Sequence, residues 1–266
     1  MAAYILCQNG LATQPYFIEN IQTNIYSLEE LCYYLYHNIY LADETLMNEN
    51  LFSWVSNELR LPALAAKLRQ NTGKFSGIDD FAYPIFKEIN YLTYEELKGF
   101  GAMLAEYDSL SPRETKKRKA DAFMKNGMVV KAISLYESIL ASAPALPEKE
   151  KERSREAALR SDVCYNLGCA YSYLFQMEKA ADCFYQAAAI SGRDEDMAAY
   201  LLAFRCTCQS KEFEEHMSQI PINARIRDLV KEAMEKYAAL KKPGLPVNAE
   251  DEILDGLMRD YHRCMT

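Results

Sequence analysis

Glycine, proline and tryptophan are scarce in this chain. Its 266 residues include 1 Trp and only 10 Gly and 9 Pro. Because Gly and Pro are the helix breakers, their scarcity favours helices, as do the stretches rich in Ala, Leu, Glu and Lys. Long apolar runs are also missing, because no stretch approaches the roughly 18 residues that a membrane span needs. The first residues, MAAYILCQNGLATQPYF, have no basic leader followed by a long apolar run. We therefore expect neither a membrane segment nor a signal peptide.

An excess of positive charge is absent as well. The chain has 30 Lys and Arg against 38 Asp and Glu, a net charge of −8. An acidic surface repels phosphate backbones, so no nucleic-acid binding is expected. The one basic run, Lys116 to Lys119, stands close to Glu114 and Asp121. That arrangement is typical of a solvated face, with a nucleic-acid contact as the alternative.

Metal-ligand and catalytic motifs are missing too. None of the eight cysteines stands in a CxxC spacing, and the three histidines, at positions 37, 216 and 262, are far apart. No HExxH, GxSxG or P-loop motif occurs. We expect free and mostly buried thiols, in the cytosol, where thiols stay reduced. The sequence predicts no cofactor, no metal site and no catalytic residue, and hence a protein that is not an enzyme.

Helix signals cover most of the chain, and the predicted fold class is all-α. Capping boxes, in which a Ser or Thr is followed three residues later by Glu, start three of the helices; these pairs are Ser27 with Glu30, Thr93 with Glu96, and Ser111 with Glu114. The expected helices of the first part are 27–41, 44–59, 62–71, 78–89 and 93–110. Pro84 is expected to kink or divide the fourth of them.

Only the N-terminus has the composition of a strand. The segments YILC and YFIENIQTNIY carry β-branched and aromatic residues, and the turn-like QNGLATQP lies between them. This arrangement predicts a short β-hairpin at the start of the chain.

A weak internal repeat follows Ser111. When residues 113–146 are aligned with 161–194, small residues share the eighth and twentieth positions, and aromatic residues share the eleventh and twenty-fourth. The small positions hold Ala120, Gly168, Ala132 and Ala180, and the aromatic ones hold Phe123, Tyr171, Tyr136 and Phe184. Small side chains let two helices approach closely, and the aromatic rings fill the space beside the contact.

This pattern resembles the tetratricopeptide repeat, a helix–turn–helix unit of about 34 residues. The resemblance covers roughly residues 113–220, including a degenerate third unit in which Glu214 stands where alanine is expected. It implies a short α-solenoid, which residues 223–240 would close as a capping helix. Between the two better copies, residues 147–160 form an insertion that we interpret as a solvated helical extension, with a projection that contacts a partner as the alternative.

The resemblance also implies a binding face, since proteins of this family generally hold peptides or partner domains on their concave side. The side chains expected there are Lys117, Asp121, Lys125, Tyr165, Asn166, Cys169 and Tyr173. In some members of the family a basic clamp on this face binds a C-terminal carboxylate. Lys117 and Asn166 fit that clamp, but Asp121 would repel a carboxylate, and Ala199 and Ala203 replace a basic pair. A carboxylate clamp is therefore not expected.

A break at Lys241-Lys242-Pro243-Gly244-Leu245-Pro246 precedes a C-terminal amphipathic helix. Its apolar stripe consists of Ile253, Leu254, Leu257, Met258 and Tyr261. The hypothesis is that this tail docks on the concave groove of its own chain or of a second copy; the alternative is that it stays free until a partner arrives. A homo-oligomer is expected to form either through this tail or through the tyrosine-rich helix 27–41.

These patterns predict a helical N-terminal domain at 1–110, a repeat domain with its capping helix at 111–242, and a linker with an amphipathic helix at 243–266. The expected function is a non-enzymatic adaptor or scaffold that binds a protein or peptide. One alternative is a regulator whose N-terminal part binds DNA or acts as an effector, with LPALAAKLRQNTGK, residues 61–74, as the only recognition-helix candidate. A remote alternative is an enzyme that uses the N-terminal helical domain.

Overall fold

The computed structural model describes residues 10–43, 45–71, 77–142 and 150–240 of the chain. Within these ranges the protein is mostly helical, which confirms the all-α fold class. The one sheet in the described ranges is a two-stranded antiparallel hairpin of β1 (Tyr16–Ile18) and β2 (Thr23–Ile25).

The hairpin exists, but its predicted turn is wrong. Both strands come from the segment YFIENIQTNIY, and the chain reverses at residues 19–22, where Gln22 takes a positive φ of 50°. Two of the residues expected to form the turn, Thr13 and Gln14, contact α2 and its C-cap instead. Trp54 Nε1 donates to the carbonyl of Gln14 at 2.8 Å, and the amides of Thr13 and Gln14 donate to Glu58. The segment YILC lies outside the described residues.

Five α-helices follow the hairpin in the described chain. They are α1 (Leu28–His37), α2 (Glu49–Asn57), α3 (Pro62–Asn71), α4 (Asp79–Glu88) and α5 (Tyr94–Ser109). Two are shorter than expected. The helix predicted at 27–41 ends at His37 and is followed by a separate 3-10 turn. The helix predicted from residue 44 begins after Asn48, whose side chain caps it by accepting from the amide of Leu51 at 3.0 Å.

Pro84 lies inside α4 without dividing it, so that part of the expectation is wrong. A proline lacks an amide hydrogen and therefore removes one internal hydrogen bond from a helix. Four buried apolar side chains of α4, those of Phe81, Ala82, Ile85 and Phe86, hold the helix in the core on both sides of that position.

The second half of the described chain consists of seven further helices. They are α6 (Pro112–Lys125), α7 (Val129–Ala141), α8 (Glu150–Tyr173), α9 (Met177–Ser191), α10 (Asp194–Arg205), α11 (Ser210–Gln219) and α12 (Ala224–Leu240). All three expected capping boxes are present, at the starts of α1, α5 and α6. Helix α6 packs against α7 and α8 against α9, each pair joined by a loop of three residues, and α7 also packs on α8 and α9 on α10.

The small residues of the repeat lie where the paired helices meet. Ala120, Ala132 and Ala180 are fully buried, and Gly168 is buried as well. A Cβ atom added to Gly168 would lie 2.8 Å from two ring carbons of Phe184. Real Cβ atoms do not approach other atoms that closely, and the Phe184 ring is itself buried. Glycine at this position is therefore required by the contact between α8 and α9.

Residues 150–160 of the insertion form the first three turns of α8. Most of their side chains are exposed, and two of them also bind α6. Arg113 forms an ion pair with Glu156 and also donates to the carbonyl of Ile139 at 2.9 Å. Arg155 donates two hydrogen bonds to Glu114, at 2.8 and 2.7 Å. The described part of the insertion is thus a largely exposed helix, as expected, and it also braces the first helical hairpin.

One hydrophobic core runs from Ala12 in the N-terminal part to Ala203 in α10. Polar contacts cross the expected boundary at residue 110 as well. Asn126 donates to Asn38 at 2.8 Å, and Lys119 lies 2.6 Å from Asp43. A smaller second cluster joins α10, α11 and α12. The N-terminal helices and the first helical hairpin therefore pack as neighbours, while the expected domain boundaries stay predictions.

The Gly168→Ala variant tests the close approach of α8 and α9. Inside a helix, alanine is more stabilising than glycine by about 0.5–1 kcal/mol. Overpacking a buried contact, however, lowers the stability by about 1–3 kcal/mol. We expect a net loss of about 1 kcal/mol in the free energy of unfolding, measured by urea denaturation. Gly99→Ala is the matched control, because the added Cβ meets no atom within 4 Å in the middle of α5; that variant should gain stability. Equal gains in both variants would contradict the contact.

The two loops between paired helices share a backbone geometry. Gly127 and Phe175 stand at the same position of their loops and have φ of 73° and 56°. In each loop the next residue donates its amide to the carbonyl five residues earlier, at 2.9 Å, from Met128 to Phe123 and from Gln176 to Tyr171. A left-handed backbone suits glycine and costs other residues about 1–2 kcal/mol. The side chain of Phe175 is 85% exposed, so the burial of its ring offsets little of this cost in free energy.

We expect Phe175→Gly to raise the free energy of unfolding by about 0.5–1 kcal/mol, because the relief of backbone strain exceeds the extra chain entropy that glycine must lose. Gly127→Ala should lower it by a similar amount, since it places a side chain on the same left-handed backbone. Thermal unfolding followed by circular dichroism measures both. A loss of stability in Phe175→Gly would mean that the exposed ring makes a contact that stabilises the fold.

Candidate functional site

The expected concave face contains a cluster of polar side chains centred on Asp121. One carboxylate oxygen of Asp121 lies 2.9 Å from Lys117 Nζ. The other accepts hydrogen bonds from the hydroxyl of Tyr136 at 2.6 Å and from the side-chain amide of Asn166 at 2.8 Å. Asp121 and Lys117 are one helical turn apart on α6, Tyr136 lies on α7 and Asn166 on α8. One carboxylate therefore joins three helices.

The charge of Asp121 is compensated within the protein. The side chains of Lys117 and Asp121 are only 17% and 29% exposed, so their attraction is screened less by water than that of a surface pair. We expected Asp121 to repel a carboxylate ligand. The ion pair with Lys117 and the two neutral donors leave little negative charge for a ligand to meet.

The Tyr136 hydroxyl acts as a neutral donor in this cluster. Its side chain is 1% exposed. Burial, and then the hydrogen bond to the Asp121 carboxylate, raise the pKa of Tyr136 far above its ordinary value, because both oppose the formation of a phenolate. The raised pKa favours the protonated hydroxyl, which is the form that donates to Asp121.

A surface cavity of about 210 Å³ opens beside this cluster. It is lined by Asp121, Met124, Tyr136, Asn166 and Cys169. Burial raises the pKa of the Cys169 thiol, so the sulfur is held as a neutral, weakly polar group rather than as a thiolate nucleophile. The lining thus combines the carboxylate of Asp121, which pairs with Lys117, with an amide, an aliphatic thioether, a thiol and an aromatic ring. Such a surface suits contact with a side chain.

The structure brings together four of the seven residues expected on the concave face, namely Lys117, Asp121, Asn166 and Cys169. Three lie elsewhere. Tyr165 is half-buried one turn before Cys169, with its ring centroid 5.2 Å from that of Phe184. Lys125 and Tyr173 are exposed at the ends of α6 and α8, outside the cavity lining.

Tyr136 is the site residue that the sequence did not indicate. Its position in the repeat predicted an aromatic ring that fills space between helices, and the ring is indeed buried. The role of its hydroxyl depends on which side chain of the neighbouring helix faces it. Helical spacing does not specify which side chain this is. The one signal in the sequence is Asp121 on α6, because a carboxylate can accept a hydrogen bond from a buried hydroxyl.

A second ion cluster joins α8 to α10 near the same face. Arg193 lies 3.1 Å from Asp162 and 3.0 Å from Asp196. The side chain of Asp196 is 3% exposed and also accepts from Ser191 Oγ at 2.6 Å. Every polar atom named in this group has its partner within the protein, so we interpret the cluster as a connection between helices.

Most cationic side chains of the basic run and one of the candidate recognition helix form ion pairs with acidic residues. In the run Lys116 to Lys119, three of the four cations have one: Lys117 binds Asp121, Arg118 lies 3.2 Å from Glu106 and Lys119 lies 2.6 Å from Asp43. In the candidate recognition helix, α3, the guanidinium of Arg69 binds Glu49.

The tyrosine-rich helix α1 packs mainly inward. Tyr34 is buried and its hydroxyl donates to the carbonyl of Leu41 at 3.1 Å. The rings of Tyr36 and Tyr40 lie 6.1 and 5.6 Å from those of Phe100 and Tyr107. Of the four tyrosines between residues 33 and 40, Tyr33 alone is more than half exposed. An oligomer through this helix would have a small apolar surface to use.

Neither a metal centre nor a membrane span is found in the part of the chain that the structure describes. No group of three or more His, Cys, Asp or Glu side chains there is arranged to hold a metal ion. No helix there has both the length and the apolar composition that crossing a bilayer requires. The tail residues Ile253, Leu254, Leu257, Met258 and Tyr261 lie outside the described residues.

Tyr136→Phe tests the Asp121 cluster through its pH dependence. The pKa of Tyr136 is higher in the folded than in the unfolded chain, so its contribution is complete below about pH 10 and is lost as the pH rises above it. Between pH 10 and 11 the wild type should lose about 1 kcal/mol more than Tyr136→Phe, because the unfolded chain ionises while the folded chain does not. Urea denaturation at several pH values measures the difference.

The control for this experiment is Tyr94→Phe, since Tyr94 is 83% exposed. Its stability should fall with pH in parallel with that of the wild type. At neutral pH Tyr136→Phe should also be less stable by about 1 kcal/mol, the usual cost of one lost hydrogen bond. Parallel curves for Tyr136→Phe and the wild type would show that the hydroxyl does not bind Asp121.

Comparison with known proteins identifies no relative of this chain. No protein-family model matches it, and neither a curated protein nor a solved structure does.

Proposed function

We propose that this chain is a non-enzymatic protein-interaction module that binds a peptide or a helix of another protein along the groove between α6 and α8. The observation that carries the proposal is the cavity between Asp121, Met124 and Cys169. It lies on the face where the resemblance to tetratricopeptide repeats implies a ligand, and its lining is suited to a side chain and not to a reaction.

The arrangement of the helices supports an extended binding surface. Helices α6 and α8 are the first helices of two successive hairpins, and they contact each other directly as well as through α7. Asn166 on α8 donates to Asp121 on α6, which fixes the distance between them. A groove whose two walls are joined in this way is preorganised, so a ligand does not have to order it on binding.

The chemistry of the lining favours an apolar anchor on the ligand. The Asp121 carboxylate already accepts from three donors, and a cationic ligand would have to displace Lys117 to pair with it. An anionic ligand would find Lys117 occupied by Asp121. A neutral aliphatic side chain, in contrast, would contact Met124 and Cys169 and remove apolar surface from water. We therefore propose a peptide that inserts a leucine-like or methionine-like side chain, rather than one recognised by its C-terminal carboxylate.

The experiment is a selection of peptides from a random display library on the full-length protein, followed by affinity measurements on variants. Met124→Arg places a charge in the cavity lining. We expect it to weaken the selected peptides at least tenfold, which corresponds to about 1.4 kcal/mol. Val130→Arg is the matched control, because Val130 is 70% exposed and outside the cavity lining; its affinities should stay within about twofold of the wild type.

Circular dichroism of both variants shows whether each keeps its helical fold, so that lost binding is not mistaken for lost structure. A selection that yields no binder, or binders that the two variants hold equally well, would refute the groove between α6 and α8 as the binding site.

A further inference from the structure

A second and larger groove lies at the C-terminal end of the helical array. Helices α11 and α12 both pack on α10, with Phe213, Ile226 and Val230 buried in the small cluster between them. A cavity of about 500 Å³ remains between α11 and α12. Its apolar lining residues are Phe213, Met217, Val230, Met234 and Ala238. Met234, at 39% exposure, is one of the large apolar side chains that the described chain leaves exposed.

The groove is apolar at its base and basic at its rim. Arg205, Arg227 and Lys231 line it, against the acids Glu214 and Glu235. No ion pair joins Arg227 to another residue of the described ranges, and the contact of Lys231 with Glu235 is long, at 3.9 Å, between two exposed side chains. Long exposed pairs of this kind contribute little. The rim can therefore accept acidic side chains beside an apolar core.

The chain itself supplies a segment with the complementary pattern. Twenty-six residues, 241–266, follow the last described residue, Leu240, and α12 forms one wall of the groove. From Asn248 to Tyr261 the sequence has five acids and one base, Arg259, a net charge of 1 − 5 = −4. The apolar stripe Ile253, Leu254, Leu257, Met258 and Tyr261 has the spacing of one face of a helix.

We infer that the segment Ile253 to Tyr261 docks its apolar stripe in the groove between α11 and α12 of the same chain and closes the end of the array. The 12 residues from Lys241 to Glu252 can span up to about 40 Å when extended, which is ample for a return to a groove that starts at the end of α12. A short tether gives an effective concentration of the order of millimolar. The chain's own segment therefore has an advantage over a second copy at ordinary protein concentrations.

This placement differs from the tail's expected site on the concave face. The cavity at Asp121 is less than half as large, at about 210 Å³, and its one cation in the cluster, Lys117, is already paired. The α11–α12 groove offers more apolar surface and the guanidinium of Arg227, which has no ion pair within the described ranges. The groove is also adjacent to the point at which the tail begins. The inference leaves the groove between α6 and α8 open to a partner, and it does not depend on the function proposed for that groove.

Hydrogen–deuterium exchange of the full-length protein, read by mass spectrometry, tests the inference. We expect the amides of residues 253–261 to exchange at least tenfold more slowly in the wild type than in Met234→Asp, which places a negative charge in the groove against an acidic segment. Leu257→Asp changes the tail instead and should cause the same loss of protection, while α10 and α11 keep theirs. Because that substitution leaves the residues of α10, α11 and α12 unchanged, it separates undocking from unfolding of these helices.

Val130→Asp is the matched control, since it puts the same charge on an exposed apolar position elsewhere, and it should leave the tail protected. If the tail amides exchange fast in the wild type, the inference is overturned. It is also overturned if Met124→Arg, and not Met234→Asp, removes the protection, because the tail would then lie between α6 and α8. Protection that grows with protein concentration, together with a dimer in sedimentation, would assign the groove to a second copy and would overturn docking within one chain.

Discussion

The close approach of paired helices at small residues is the constraint on which the rest of this structure depends. At Gly168 the backbone of α8 comes so near to Phe184 that even a Cβ atom would lie 2.8 Å from the ring. Ala120 and Ala132 are both fully buried, and their small side chains allow α6 and α7 to approach each other closely. Only when α6 and α7 are this close can the Tyr136 hydroxyl reach Asp121, so the polar cluster of the groove follows from the packing of the helices beneath it.

The Asp121 cluster shows how a charged residue on the proposed binding face can stabilise the fold. A half-buried carboxylate without partners would be costly, and here donors from three helices remove that cost. The groove consequently presents little net charge, and its remaining open surface is Met124 and Cys169. Under the proposed function, recognition on this face rests on shape and apolar contact rather than on charge.

The features that could be predicted from the sequence are those that depend on neighbours along the chain. Three capping boxes, the small residues of the repeat and most helix positions need only local spacing, and they are where the sequence placed them. The misplaced hairpin turn, the bracing of α6 by Arg155 and Glu156, and the role of Tyr136 all depend on side chains that meet across at least 15 residues. Such contacts are decided by competition between packing arrangements, which periodicity does not describe.

The two ends of the helical array are covered differently, and this asymmetry is the reason to expect a cap at one of them. At the N-terminal end, α6 is covered by the preceding helices, and one core continues from Ala12 to Ala203 in α10. At the other end the last helices share a small separate cluster and leave apolar side chains such as Met234 accessible. A stacked array buries its apolar faces only between units, so its final unit needs a cover with one polar side. Helix α12 provides part of that cover, and the acidic, amphipathic segment beyond it has the composition to provide the rest.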